Sequence, residues 1–179
     1  MPSLLFSLTA SAAAAAAGLT GSSFCDARTI FPKPLSQVDD AAHTFIPINA
    51  RDFQFKTAAG SPTNDILQNA FNRYYTIAIG QSGAAAAFES SNFDSSTAGD
   101  EPITGLEVTI DTADDTLTLE TNVSYTLQVQ SPTVTISAPN VFGALNGLES
   151  FSQLVGSDST INGTTVHDNP RYQFRSTSE

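Results

Sequence analysis

The chain has 179 residues, with seven basic against eighteen acidic side chains and a formal charge of −11. That is one domain of ordinary size, and a surface of this sign repels phosphate backbones, which argues against nucleic acid or anionic membrane as partners. The single cysteine, Cys25, excludes an internal disulfide framework and a zinc–thiolate site.

Residues 1–27 read as an export signal. Leu4, Leu5, Phe6, Leu8 and the run from Ala12 to Ala17 make an apolar stretch too short for a permanent membrane span, although its amino end carries no Lys or Arg. A disordered Ala-rich tail is the bland alternative. Cleavage after Ala27 leaves a mature chain with no thiol and no membrane attachment. Two acceptor sequences for N-glycosylation, Asn122-Val123-Ser124 and Asn162-Gly163-Thr164, fit a eukaryotic secretory route.

Downstream, Ile30-Phe31-Pro32-Lys33-Pro34 predicts an extended start with Phe31 as an apolar anchor, because two prolines fix φ. Alternation between Thr44 and Phe55 predicts two short strands broken at Pro47 and Asn49, and Thr57 to Ser61 reads as a loop. Ser61-Pro62 is placed to open a helix, with Asp65 favouring its positive end. Ile66, Leu67, Ala70, Phe71, Tyr74, Tyr75 and Ala78 recur at helical spacing and Gly80 closes the run. Residues 81–101, rich in Ala, Ser, Gly and Asp, read as a surface loop.

Three alternating segments follow, on Leu106/Val108/Ile110, Tyr125/Leu127/Val129 and Val134/Ile136/Ala138, with a turn at Ser131-Pro132. Thr116 to Glu120 is expected to add a short edge segment. Asn140 caps a second helix to Val155, with an apolar stripe of Val141, Ala144, Leu145, Leu148, Phe151, Leu154 and Val155 and Phe142 beside it. Gly143 and Gly147 each cost a helix ~1 kcal/mol against Ala, so a close tertiary approach must compensate. The expected fold is α+β: a two-layer sandwich of a mainly antiparallel sheet with two helices on one face.

The residues offer little chemistry of their own. His43 and His167 are the only histidines, and no His-Glu-x-x-His helix accompanies them, so no metal site is expected. No nucleophile elbow or phosphate-cradling glycine loop occurs, so no catalytic residue and no cofactor are assigned. The adjacent acids Asp39-Asp40, Asp100-Glu101 and Asp114-Asp115 fall in predicted loops, where hydrated carboxylates favour turns.

Asn140 to Val155, then Asp168, Pro170, Arg171, Tyr172, Arg175 and Ser176, carry a resemblance to family 20 glycoside hydrolases, the β-N-acetylhexosaminidases. In that family a helix of the form W-G-A-L-R-G-L-E-T-F-S-Q-L closes a small N-terminal domain of zincin-like outline. A D-x-P-R-F/Y-x-x-R-G/S segment then starts a (β/α)8 catalytic barrel. Phe31-Pro32-Lys33-Pro34 resembles the family's W-P-x-P start. Departures are Phe at 31 and 142 for Trp, and Asn146 for a common Arg.

The resemblance implies a signal at 1–27, a hexosaminidase-type N-terminal domain at 28–167 and the first barrel residues at 168–179. It further implies an accessory role: bracing a barrel that hydrolyses terminal N-acetylhexosamine from glycans, in a secreted or lysosomal/vacuolar enzyme. The Asp-Glu dyad of the family lies on a barrel strand beyond this sequence, so the glycan would be met only through that barrel. Arg175 matches a family arginine that binds sugar hydroxyls, a role it can hold only within a longer product. Thr177-Ser178-Glu179 departs from the family's apolar strand, which reads as truncation, an altered gene model or splicing. Phe142, Phe151, Tyr172 and Phe174 are expected at the barrel-facing surface. A stand-alone secreted carbohydrate-binding or interaction module is the alternative, and the absence of Trp counts against it.

Overall fold

The computed structural model describes residues 28–40, 45–80 and 101–169. The expected export signal with Cys25, His43, residues 81–100 of the expected loop, and residues 170–179 with Arg175, Tyr172 and Phe174 lie outside the described residues. The strands are β1 (Ser36–Asp39), β2 (Phe45–Pro47), β3 (Gln54–Thr57), β4 (Gly105–Ile110), β5 (Tyr125–Val129), β6 (Thr133–Ala138), β7 (Thr160–Asn162) and β8 (Thr164–Asp168). Six of them form one sheet in the order β1-β8-β5-β6-β4-β3, while β2 and β7 pair as a separate ribbon. The β1–β8, β8–β5 and β5–β6 pairings are antiparallel and the β6–β4 and β4–β3 pairings are parallel. The sheet is therefore mixed. The parallel half arises because a helix crosses over between β3 and β4, and because β5, antiparallel to β6, intervenes between β4 and β6 in the chain, so that two reversals bring β6 back parallel to β4.

That crossover is α1 (Asp65–Tyr74), continued by a π-helical segment, Tyr75–Gly80. Its cap is Asn64, whose Oδ1 accepts from Ile66 N at 2.8 Å. Ser61, placed to cap it by the sequence, is used elsewhere: its Oγ donates to Ile110 O and accepts from Ile110 N, at 3.0 and 2.8 Å, tying the helix approach to the end of β4. Helix α2 (Val141–Leu154) starts where expected, with Asn140 Oδ1 accepting from Phe142 N and Gly143 N at 3.1 Å each.

Alternation along the strands sorts the two faces. Leu106, Val108, Ile110, Leu127, Val129, Val134, Ile136 and Val166 are at most 2% exposed and point to the helices. The register sets Ser36, His167, Thr126 and Ser137 in one row of the opposite face, and Thr165, Gln128, Thr135, Glu107 and Lys56 in the next. One layer is thus a polar sheet face and the other a helical layer over a single core.

Both helices cover the same sheet face. A ring cluster joins them: Phe55 stacks on Phe71 of α1 at 5.5 Å and meets Phe151 of α2 edge-on at 6.3 Å, while Phe53 lies against Phe151 at 6.0 Å. The two helical glycines account for the close approach. A Cβ on Gly143 would stand 2.4 Å from Ser124 O, and one on Gly147 would stand 2.8 Å from Ile136 Cγ2.

Three expectations need correction, and one strand is new. Thr116 to Glu120 is no strand; its hydroxyls bond locally, with Thr118 N donating to Thr121 Oγ1 at 2.8 Å and Thr116 N to Asp114 Oδ1 at 2.9 Å. Ile66 and Tyr75 are 37% and 39% exposed, since α1 is narrow on the core and the π-helical turn changes the phase. The second of the early strands lies at Gln54–Thr57, because Asn49 holds a turn through Arg51 N and Asp52 N and delays it. Strand β1 has no counterpart in the sequence reading: its alternation is too short to register, and β8 supplies its pairing.

Candidate functional site

The ordered side chains converge where the N-terminal segment, the C-terminal half of α2 and the end of β8 meet. Gln153 grips the backbone of Phe31 on both sides: its Oε1 accepts from Phe31 N at 2.7 Å and its Nε2 donates to Phe31 O at 3.0 Å. The same Nε2 donates to Glu149 Oε1 at 3.3 Å, and Glu149 Oε2 accepts from the Tyr74 hydroxyl at 2.9 Å. Burial, then the Glu149 carboxylate, push the Tyr74 hydroxyl above its ordinary pKa, against the opposing pull of Arg73, whose guanidinium lies 4.8 Å from the ring centre. This chain of contacts locks α1 to α2 and to the start of the domain.

Asp168, 7% exposed at the end of β8, accepts from Leu35 N at 3.1 Å through Oδ1. The chain therefore enters and leaves the domain side by side. Between them the Tyr125 hydroxyl meets Ser150 Oγ at 2.5 Å, over a cavity of about 40 Å³ too small for a sugar.

Arg28 closes the other side. Its guanidinium donates to Leu154 O at 3.1 Å, to Thr160 O and to Asp158 Oδ1 at 2.8 Å, and lies 5.5 Å from the Phe45 ring centre. Burial raises the Asp158 carboxyl, but hydrogen bonds from Thr160 and the Arg28 charge outweigh it and leave it below the ordinary carboxylate range. Nothing in the sequence marks Arg28. A basic residue facing the carbonyl end of a helix is a sound electrostatic pairing, but that end is supplied from 126 residues away.

The candidate residues are not brought together. Arg175 lies outside the described residues. Asn122 is exposed, its Oδ1 accepting from Ser124 N at 3.1 Å, whereas Asn162 in β7 is 7% exposed with no hydrogen-bond partner at Oδ1. His167 lies on the polar sheet face, its Nδ1 3.0 Å from Thr126 Oγ1. Asp114 is fully exposed, and backbone and hydroxyl hydrogen bonds from Thr116 lower its pKa, so it carries no proton to give at neutral pH. No group of three or more His, Cys, Asp or Glu side chains that could hold a metal occurs among the described residues. Among them, too, no helix is long and apolar enough to cross a membrane. Phe151, expected at a barrel-facing surface, is fully buried in the core, because its position on α2 faces Phe53 and Phe55. Phe142 is only partly buried, beside that core.

Among the described residues these contacts tie the two helices to the start of the domain, and the candidate site residues are not gathered in one place. A family model described as "beta-acetyl hexosaminidase like" matches residues 30–154, more than two thirds of the chain. The chain belongs to this family. The beta-hexosaminidase subunit beta of Mus musculus is 33% identical over 142 residues, covering 72% of this chain and 25% of that protein. Its Sus scrofa counterpart is 32% identical over 155 residues, covering 79% and 27%. The hexosaminidase-like chain thus spans about a quarter of the length of these relatives. The chitobiase of Flavobacterium johnsoniae superposes with a TM-score of 0.60 at 23% identity, over 79% of this chain and 21% of that one, which establishes the shared α+β fold.

Proposed function

We propose that this chain is the N-terminal, non-catalytic domain of a β-N-acetylhexosaminidase, and that its helical layer braces a (β/α)8 barrel that removes terminal N-acetylhexosamine from glycans. The observation that carries the reading is the family match over residues 30–154, which runs through α2 and stops short of any barrel. The physical support is the construction of the helical layer: the sheet's far face is mainly polar, with Val38 as its exposed apolar residue, while Phe31 and Ile77 stand 80% and 44% exposed away from it. Exposed apolar side chains of this size beside a chain exit are what a neighbouring domain covers. The residues that follow β8, to 179, are assigned to the start of the first barrel strand, and Arg175 to contact with the terminal sugar's hydroxyls once that barrel is complete. A secreted or lysosomal/vacuolar destination follows, with residues 1–27 as the signal. Glycans are assigned to Asn122, open to solvent, and to Asn162, which must be modified before β7 closes on β2.

Assay of the purified 179-residue chain on an aryl N-acetylglucosaminide tests the first half. No turnover is expected, since the family resemblance places the acid–orienter dyad on a barrel strand beyond residue 179. Turnover above background that a thiazoline-type transition-state mimic abolishes would contradict a purely bracing role. For the second half, the chain should bind a hydrophobic dye or self-associate at micromolar concentration, and Phe31→Ser with Ile77→Ser should suppress this. A monomeric, dye-silent parent chain would show that the helical layer has no docking surface.

A further inference from the structure

A second feature lies at the outer edge of the sheet, away from the junction. Strand β3 is the last in the sheet order, and α1 runs over it. Between them is a groove of about 410 Å³ lined by Gln54, Phe55, Gln68, Phe71, Asn72 and Tyr75. Gln68, Asn72 and Tyr75 stand at i, i+4 and i+7, one stripe along the helix. The stacked rings of Phe55 and Phe71 form the floor, and Tyr75, 39% exposed, forms a wall. The Tyr75 hydroxyl donates to Ala50 O at 3.2 Å, which fixes the ring in place. Exposed Gln54, Gln68 and Asn72 supply amide groups around the rim.

We propose that this groove is a binding site for a neutral saccharide. Three properties of the lining select that ligand. In a chain of charge −11, none of the six lining residues is charged, so the site neither attracts nor repels an ion. Each rim amide offers both donors and acceptors, the complement of a sugar hydroxyl, which is itself both. The open Tyr75 ring and the half-buried Phe55 ring, which Phe71 backs from the core, carry negative π density that accepts the polarised C–H bonds of a pyranose face. The volume falls within the ~300–1,000 Å³ of small-molecule sites. A purely apolar ligand would desolvate the rim amides with no hydrogen bond in return, beyond the 3.5 Å contact of Gln68 Nε2 with Thr57 Oγ1. A peptide strand added to β3 would find an edge of only four residues, too short for many main-chain bonds.

The proposal goes beyond the bracing role and is tested without it. The isotope-labelled 179-residue chain is titrated with triacetylchitotriose, cellotriose and maltotriose into the tens of millimolar, reading backbone and side-chain amide signals. Saturable shifts are expected at Gln54, Gln68, Asn72 and Tyr75 with at least one trisaccharide. Gln68→Ala with Asn72→Ala, both at exposed positions and so compatible with folding, should weaken binding about tenfold or more. An unchanged far-ultraviolet spectrum checks that this double variant is folded. A response only to acetylated sugar would assign the amides to the acetamido group, and a response to all three would assign them to hydroxyls; both support the site. The proposal is overturned by silence with every saccharide, by shifts centred elsewhere, by undiminished affinity in the double variant, or by shifts produced only by a β-strand-forming hexapeptide.

Discussion

At Gly143 the distance to a neighbouring strand end is settled by one missing atom. Any Cβ there would press on the Ser124 carbonyl at 2.4 Å and on Ala138 Cβ at 3.0 Å. Backbone cannot swing aside as a side chain does, so Gly143→Ala is expected to destabilise by about 2–3 kcal/mol in urea unfolding, despite alanine's better helix propensity. A neutral or stabilising result would mean that α2 slides freely on the sheet. Asp158 gives a pH-dependent counterpart. Its folded pKa is depressed, so its contribution is present above the ordinary carboxylate range and is lost as pH falls through the folded value. Asp158→Asn should therefore cost up to ~1 kcal/mol at pH 7, small because the aspartate is 61% exposed, and the two proteins should converge in stability as pH falls through the depressed folded-state value. A difference that persists unchanged in acid would assign the loss to geometry and not to charge.

Helix α2 is the element from which both fold and family could be read. Its seven-residue apolar stripe, its Asn140 cap and its two glycines are local signals, and each is realised: Val141, Ala144, Leu148 and Phe151 are fully buried, and the glycines face Ser124 and Ile136. Truncating Phe151 to Ala should cost about 3–5 kcal/mol, because it touches Phe53 and Phe55 at the centre of the ring cluster. Phe142→Ala, at a half-buried position, should cost under about half as much. Equal losses would show that both rings are core. What the sequence hid is non-local. The role of Gln153 is defined by the Phe31 backbone, and that of Arg28 by the end of α2 and by β7, each more than a hundred positions distant. Strand β1 carries four residues and exists because β8 offers an edge. Periodicity reports which face of an element is apolar, but not which distant edge will adopt it. The groove beside β3 was equally invisible, since its floor and rim come from two elements whose facing is decided only by packing.

Over the molecule as a whole, order along the chain and order across the sheet disagree. Strand β8, the last to be made in the described domain, lies between β1 and β5, and the β2–β7 ribbon likewise joins an early segment to a late one. Until Asp168 has left the ribosome, β1 has no neighbour, β5 has one free edge, and Leu35 has no carboxylate to meet. The domain is thus vectorially incomplete during most of its own synthesis, and its N-terminal strand must be kept unpaired for well over a hundred residues. Proteolysis of nascent chains stalled on the ribosome, with a flexible linker appended after residue 179, should find residues 36–39 accessible up to arrest points before 164 and protected once residue 168 is about 35 residues from the peptidyl centre, the span an extended chain needs to clear the exit tunnel at ~3.3 Å per residue. Earlier protection would mean that β1 first pairs with a strand it must later abandon.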